Sequence, residues 1–163
     1  MIFPSELRAR AFTLLAELRA QSLRLATAES CTGGLVAGLF TEIAGSSDVF
    51  ERGFVTYSND AKHELLGVPK TVLDVHGAVS KDVAQAMALG ALKHSHADIV
   101  IAVTGIAGPG GATETKPIGL VHIAIARKDG AIVHRAFEFG DIGRTEVRLA
   151  TLDAALALLS ELV

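Results

Sequence analysis

A short, nearly unbroken apolar run lies in the middle of the chain, directly before a segment rich in glycine. Asp98-Ile99-Val100-Ile101-Ala102-Val103 leads into residues 105–111, of which four are glycine. A strand that alternated apolar and polar residues would have one wet face, whereas a continuous run of β-branched residues indicates burial on both faces. We therefore predict a central strand of a sheet that is covered by helices on both sides.

The remaining patterns alternate between strands and helices. Asp129-Gly130 between two of the strands is a strong hairpin signal, and Ser80 is placed to cap a helix. With 163 residues, the chain is long enough for one well-buried core and too short to favour two. We predict an α/β fold, a single three-layer α/β/α domain over 1–163, whose sheet is mixed and mostly parallel with a late antiparallel hairpin. The predicted strands are 23–28, 50–58, 98–103, 118–126 and 131–139, and the predicted helices include 7–19, 32–43, 60–66 and 143–162.

Charge, cysteine content and hydropathy argue against a nucleic-acid-binding, disulfide-stabilised or membrane-spanning protein. The chain has 15 basic and 18 acidic residues, a net charge of −3, so nothing indicates a nucleic-acid surface. Cys31 is the only cysteine, which fits a reducing compartment. The first residues lack the pattern of a signal peptide, and no apolar run approaches the ~20 residues that span a bilayer. We expect a cytoplasmic protein without a membrane partner.

The last predicted helix is apolar on more than one side. Its apolar residues include Val147, Leu149, Leu152, Leu156 and Leu159. Such a helix is either deeply buried or shared with a second chain. We expect a homo-oligomer.

The first candidate site segment is Thr27-Ala28-Glu29-Ser30-Cys31-Thr32-Gly33-Gly34, at a strand-to-helix turn. Free backbone N–H groups at such a turn can stabilise an oxyanion or hold a phosphate. Ser30 is placed like a nucleophile, although a helix cap is the commoner role of serine there. Cys31 is a rival nucleophile, and a lone cysteine is more often a small buried hydrophobe. Glu29 is interpreted as a solvated carboxylate or as a group that orients a partner.

The second segment ends a predicted strand and begins a short helix, with Asn59 as its cap and Gly67 as its stop. Lys62 then falls in the first turn, where the helix dipole disfavours a cation and so favours the neutral amine. A neutral lysine can take a proton from a serine hydroxyl. Tyr57 is a candidate to relay a proton or to donate a hydrogen bond. The alternatives are a surface lysine for Lys62 and a strand residue with one solvated end for Tyr57.

The third segment, Thr104-Gly105-Ile106-Ala107-Gly108-Pro109-Gly110-Gly111, leaves the end of the central strand, where open α/β sheets bind ligands. It lacks the Lys-Ser/Thr pair of a Walker loop, so a tight surface loop is the alternative.

Metal ligation is poorly supported by the sequence. His63-Glu64 lacks a second histidine at the spacing of a zinc helix. His122 and His134 are interpreted as solvated strand residues. We expect no metal and no cofactor.

Five motifs in order closely resemble those of the CinA C-terminal domain family, which comprises nicotinamide-nucleotide amidohydrolases. The resemblance runs from about Ala11 to the C-terminus. It rests on the first segment quoted above and on residues 104–109 of the third, together with Gly45-Ser46-Ser47, Arg52-Gly53-Phe54-Val55-Thr56-Tyr57-Ser58-Asn59 and His76-Gly77-Ala78-Val79-Ser80.

The resemblance implies that the chain converts nicotinamide mononucleotide and water into nicotinate mononucleotide and ammonia, without a metal. The family's serine, tyrosine, lysine and threonine positions match Ser30, Tyr57, Lys62 and Thr104, and Arg144 matches an arginine after the last strand. We expect a serine nucleophile, a lysine base and a nucleotide substrate. The substrate-binding residues would be Cys31, Gly33, Gly34, Asn59, Gly105, Gly108 and Arg144. The alternative is a non-catalytic nucleotide-binding or competence-associated regulatory module.

Overall fold

A computed structural model describes all of residues 1–163. Its five strands form one sheet in the order β2-β1-β3-β4-β5. The strands are β1 (Leu25–Glu29), β2 (Phe50–Val55), β3 (Ile99–Gly105), β4 (Leu120–Arg127) and β5 (Ile132–Glu138). The helices are α1 (Ser5–Ala20), α2 (Leu35–Thr41), α3 (Asn59–Leu66), α4 (Lys70–His76), α5 (Lys81–Lys93) and α6 (Arg144–Ser160), with one 3₁₀ turn at Ser46–Asp48.

The sheet is mixed, as predicted. Strand β1 pairs in parallel with both β2 and β3, whereas β3–β4 and β4–β5 pair antiparallel. The β4–β5 connection is the predicted hairpin, in which Gly130 adopts a φ of +100° and donates its N–H to the Arg127 carbonyl. The carboxyl ends of β1, β2 and β3 therefore meet at one edge of the sheet.

Helices cover both faces of this sheet, and β3 is buried along its length up to Thr104. One face of β1, β3 and β4 packs against α1, α2 and α6. The opposite face consists largely of alanines, including Ala28, Ala102 and Ala124, and packs against α3, α4 and α5. Small residues let these helices approach the sheet closely. Because helices lie on both faces of the sheet, the predicted three-layer arrangement is confirmed.

Several predicted boundaries are wrong for local reasons. Helix α2 was predicted from Thr32 but begins at Leu35, because Gly33 and Gly34 adopt left-handed φ angles of +57° and +96°. Strand β2 ends at Val55, three residues before the predicted end. Helix α6 begins at Arg144, one residue after the predicted start, and ends at Ser160, two residues before the predicted end.

The cap of α3 is Ser58, because its hydroxyl accepts the Ala61 N–H at 3.0 Å. Asn59, the predicted cap, is instead the first residue of the helix. Ser80 caps α5 as predicted, accepting the Val83 N–H.

The apolar character of α6 is explained within the chain itself. Val147, Leu152, Leu156 and Leu159 are completely buried in the core shared with α1 and the sheet. The helix therefore offers no argument for a second copy, and oligomer formation stays a prediction. None of the helices combines the length and the apolar character needed to cross a bilayer.

Candidate active site

A cavity of about 290 Å³ lies at the edge where β1, β2 and β3 end. Eight of the predicted site residues line it, drawn from all three candidate segments and from the start of α6. They are Ser30, Cys31, Tyr57, Lys62, Thr104, Gly105, Gly108 and Arg144. The fold therefore brings together segments that are more than seventy residues apart in the sequence.

Ser30 and Lys62 are in direct contact at the base of this cavity. Lys62 Nζ lies 3.0 Å from Ser30 Oγ. The same Nζ donates to the carbonyl oxygens of Thr56 at 2.9 Å and Tyr57 at 3.2 Å. A neutral amine has two N–H groups and one lone pair, so two carbonyl acceptors leave the lone pair available to the serine hydroxyl. The contacts thus suit an amine that accepts the Ser30 proton.

The position of Lys62 follows from the start of α3. The capped turn at Ser58 fixes the first residues of the helix, and Lys62 N–H donates to the Ser58 carbonyl at 3.1 Å. Its side chain then points inward, with 1% of its surface exposed. The alternative of a surface lysine is therefore wrong.

Burial lowers the pKa of Lys62 from 10.5 to about 8, while the nearby Cys31 opposes this change. An ammonium loses hydration when it is buried, and this penalises the charged form. The sequence indicated the same direction from the helix dipole, but desolvation is the larger cause. With a pKa of about 8, about a tenth of the molecules carry a neutral amine at pH 7.

Cys31 follows Ser30 and is a poor nucleophile. The residue is 5% exposed, and burial raises the pKa of its thiol to about 12. The thiolate is the reactive form of cysteine, and it is almost absent at neutral pH with such a pKa. Cys31 therefore contributes an apolar wall.

The turn after Ser30 is fixed by an arginine that sequence reasoning missed. Arg148, on α6, donates to the carbonyls of Cys31 and Thr32, each at 3.1 Å. The backbone N–H groups of Cys31, Thr32 and Gly34 have no hydrogen-bond acceptor within the chain. Amides of this kind can stabilise the oxyanion of an acyl-transfer reaction.

The Thr104 hydroxyl already has a hydrogen-bond acceptor within the protein. It donates to the Ala78 carbonyl at 2.8 Å. This bond attaches the loop of Ala78 and Val79, which also lines the cavity, to the end of β3. In this geometry Thr104 forms part of the cavity wall, and its hydroxyl proton is engaged by the Ala78 carbonyl.

Arg144 and Tyr57 meet at the mouth of the cavity. Arg144 donates to the Gly108 carbonyl at 2.7 Å and to the Tyr57 hydroxyl at 2.9 Å. Tyr57 is 60% exposed, which fits a residue with one wet end. No carboxylate lies within ion-pair distance of the Arg144 guanidinium, and no acidic residue lines the cavity. An anionic group can therefore reach an arginine whose charge is not neutralised by the protein.

Three predicted substrate-binding residues do not line the cavity. Gly33 and Gly34 form the left-handed turn into α2, and their role in this structure is to let the chain reverse after Ser30. Asn59 lies beside a separate shallow depression with Asp60 and Lys70. Asn59 is exposed and is not among the residues that line the cavity with Ser30.

Gly105 and Gly108 are required by close packing beside the cavity. A Cβ at Gly105 would lie 2.9 Å from the Leu120 carbonyl oxygen, and Gly108 has a φ of +81°. Both positions therefore exclude larger residues.

Two further sequence interpretations are wrong. The Glu29 carboxylate is not solvated but completely buried, and it accepts the N–H groups of Val36 and Ala37. His122 is only partly exposed, and its Nδ1 lies 2.8 Å from His134 Nε2. Burial lowers the pKa of His122 to about 4, so this ring is neutral at physiological pH.

Sequence and structure comparisons agree on one family. The sequence model described as "CinA C-terminal domain" matches residues 8–163. The nicotinamide-nucleotide amidohydrolase PncC of Enterobacter agglomerans is 48% identical over 144 residues, covering 88% of this chain and 88% of that protein.

A putative competence-damage inducible protein of Caldicellulosiruptor bescii is 52% identical over 143 residues. The match covers 87% of this chain but only 34% of that protein, so the chain spans about a third of the length of this curated relative. Among solved structures, the competence/damage inducible protein CihA of Agrobacterium tumefaciens superposes with a TM-score of 0.97 at 51% identity, covering 99% of this chain and 98% of that one.

Proposed function

Because the chain belongs to the CinA C-terminal domain family, we propose that it is an amidohydrolase that converts nicotinamide mononucleotide and water into nicotinate mononucleotide and ammonia. The observation that carries this proposal is the 3.0 Å contact between the Lys62 amine and the Ser30 hydroxyl at the base of an open cavity. A nucleotide-binding module has no need of a buried amine beside a serine. The 48% identity to a protein named as a nicotinamide-nucleotide amidohydrolase supports the choice of substrate.

The first step is proton transfer from Ser30 to Lys62. The carbonyls of Thr56 and Tyr57 hold the two N–H groups of the neutral amine, and its lone pair accepts the serine proton as the oxygen attacks the carboxamide carbon. This forms the C–O bond and a tetrahedral oxyanion. The Cys31 amide, which is free and belongs to a residue of the cavity lining, is the candidate oxyanion donor. Tyr57 contributes its carbonyl to this step, and its hydroxyl lies at the mouth of the cavity on Arg144.

The second step breaks the C–N bond. Lys62, now protonated, returns the proton to the amide nitrogen, which leaves as ammonia and gives a nicotinoyl ester of Ser30. Water then attacks the ester while Lys62 takes its proton, and collapse of the second tetrahedral species returns that proton to Ser30. Atoms and charges balance over the cycle, since one water enters and one ammonia leaves. No step requires a metal or an oxidant.

Charge around the cavity fits a phosphorylated substrate. Arg144 offers a guanidinium whose present partners, the Gly108 carbonyl and the Tyr57 hydroxyl, are neutral. A phosphate that accepts from the same guanidinium gains a charge-assisted bond, which is stronger than either of these. The absence of acidic residues from the cavity lining leaves no group there to repel the phosphate. We assign phosphate binding to Arg144.

Ammonia release from nicotinamide mononucleotide tests the proposal. We expect release by the wild-type protein, and a loss of at least about 1000-fold in kcat for Ser30→Ala and for Lys62→Met, because residues of a catalytic unit are each indispensable. Ser47→Ala and Lys128→Met, both at exposed positions, are matched controls and should retain full activity. Free nicotinamide serves as the second substrate and should be a much poorer one, because it lacks the phosphate.

Two outcomes would contradict the proposal. If the wild-type protein bound the nucleotide tightly but released no ammonia, the regulatory binding module would replace the enzyme. If release were the same in wild type, Ser30→Ala and Lys62→Met, the serine-lysine mechanism would be wrong whatever the substrate.

A further inference from the structure

Glu29 carries a completely buried carboxylate that has no cationic partner. Its Oε1 accepts the Val36 N–H at 2.8 Å and its Oε2 accepts the Ala37 N–H at 3.0 Å. No lysine, arginine or histidine nitrogen lies within ion-pair distance of it. Burying a carboxylate without such a partner is costly, so the two amide bonds at the start of α2 must offset most of the lost hydration.

Because Glu29 directly precedes Ser30, its two hydrogen bonds to α2 also affect the turn that carries the serine. Glu29 is the last residue of β1 and the direct neighbour of Ser30, whose own N–H donates to the Val103 carbonyl at 3.0 Å. The carboxylate therefore joins the end of the strand to the start of the helix, across the turn that presents the serine hydroxyl. Both ends of that turn are fixed by bonds to buried groups.

The main chain of Glu29 reaches the lysine as well. Its carbonyl accepts the Thr56 N–H at 2.9 Å, and the Thr56 carbonyl accepts from Lys62 Nζ at 2.9 Å. One residue is thus connected to the turn that holds Ser30 and to the segment that holds the Lys62 amine. A displacement of Glu29 by a fraction of an ångström would change the distance between Oγ and Nζ.

We propose that Glu29 is a positioning residue, which sets the separation of Ser30 Oγ and Lys62 Nζ by holding the first amides of α2. The proposal rests on the proposed amidohydrolase function for its catalytic readout. It also has a consequence for binding: the Val36 and Ala37 amides are already occupied by a carboxylate, so these two N–H groups are not available to a substrate phosphate.

Glu29→Gln tests this role with little change of volume. The glutamine oxygen can accept from one of the two amides, but its NH₂ group then faces the other N–H, so the turn must shift. A displacement of about 1 Å at a reacting group can reduce kcat by about 100-fold. We expect a loss of this size in kcat per folded molecule, with KM within about twofold of wild type because the phosphate contact is untouched. Burial is the main cause of the lowered pKa of Lys62, and Glu29→Gln does not remove that burial, so we expect the midpoint of the pH profile to stay in place.

Leu158→Ala is the control for a loss of stability alone. Leu158 is buried in α6, within the core shared with α1 and outside the cavity lining, so its truncation should destabilise the fold while leaving kcat per folded molecule unchanged. If Glu29→Gln behaves in the same way, with a lower melting temperature and normal kcat, Glu29 is only a helix cap and the proposal is wrong. A shift in the pH midpoint would also contradict it, because Glu29 would then act on the Lys62 charge.

A second readout does not depend on the natural substrate. A fluorophosphonate reacts with an activated serine hydroxyl, and its rate of labelling Ser30 reports the Ser30–Lys62 geometry directly. We expect Glu29→Gln to be labelled about 100-fold more slowly than wild type; equal rates would overturn the proposal. If wild type is labelled but releases no ammonia from nicotinamide mononucleotide, the proposed substrate fails while the role of Glu29 is still decided. If Glu29→Gln does not fold, Glu29→Asp, which keeps the charge and shortens the reach, takes its place in both assays.

Discussion

Replacing Lys62 by methionine should change how the stability of the protein depends on pH. Burial lowers the pKa of Lys62 from 10.5 to about 8 in the folded protein, because the side chain is 1% exposed and its ammonium form loses hydration. A change of one in pKa corresponds to about 1.36 kcal/mol. This decrease in pKa means that burying the charged amine lowers the free energy of unfolding by roughly 3 kcal/mol.

The sign follows from the proton count. Between pH 8 and pH 10.5, the unfolded chain carries a proton on this lysine that the folded protein has released. The free energy of unfolding therefore rises with pH across this window, whereas below pH 8 the full penalty is present. Lys62→Met removes the titrating group and with it this dependence.

Urea unfolding of wild type and Lys62→Met at several pH values from 7 to 10.5 measures the difference. Methionine also leaves the Thr56 and Tyr57 carbonyls without their donor, which costs about 1–3 kcal/mol for each, but this loss does not vary with pH. We expect wild type to gain about 3 kcal/mol relative to Lys62→Met between pH 7 and pH 10.5. Lys128→Met, which removes an exposed charge, controls for general charge effects.

A difference in unfolding free energy between the two proteins that does not change with pH would refute this reasoning. If wild type and Lys62→Met kept the same separation, within about 0.5 kcal/mol, over the whole pH range, the buried amine would titrate as in the unfolded chain. Lys62 would then be charged at neutral pH and unable to act as the base.

Three further predictions concern single residues. Cys31→Ala should keep kcat within about threefold of wild type, because a thiol with a pKa of about 12 supplies no nucleophile; a loss as large as that of Ser30→Ala would contradict this assignment. Arg144→Ala should raise KM for nicotinamide mononucleotide by about 10- to 100-fold, the value of a charged hydrogen bond, without changing kcat/KM for nicotinamide riboside; equal losses for both would exclude a phosphate role. Gly90→Ala should destabilise the fold by about 3 kcal/mol, because its Cβ would lie 1.9 Å from the Leu66 carbonyl oxygen, whereas Gly110→Ala meets no atom and should be neutral in thermal unfolding.

The layered fold was accessible from sequence because its signals are local. The continuous apolar run of β3 requires cover on both faces, and the Asp129-Gly130 turn specifies an antiparallel pair. The ends of elements were harder to predict. Ser58 and Asn59 are both good caps, and only the three-dimensional course of the chain after β2 decides which hydroxyl or amide faces the Ala61 N–H.

The site was predicted less completely than the fold. Ser30 and Lys62 were identified together, but the reason for the low pKa of Lys62 is burial, which depends on how α3 packs and leaves no mark in the local sequence. Arg148 was missed because it lies on α6, more than a hundred residues from the turn it holds. The structural role of Glu29 was underestimated, since a carboxylate in a polar segment is usually exposed to solvent. The available signal was its position beside Ser30, seven residues before Val36.

The pH dependence of kcat/KM for nicotinamide mononucleotide tests most directly whether Lys62 takes the Ser30 proton. This quantity reports the ionisation of the free enzyme. We expect an acid limb along which activity rises about tenfold for each pH unit, with a midpoint near the Lys62 pKa of about 8, matching the onset of the stability change in the urea experiment. A rate that did not vary with pH between 6 and 9, or a limb that persisted in Lys62→Met, would contradict the serine-lysine mechanism.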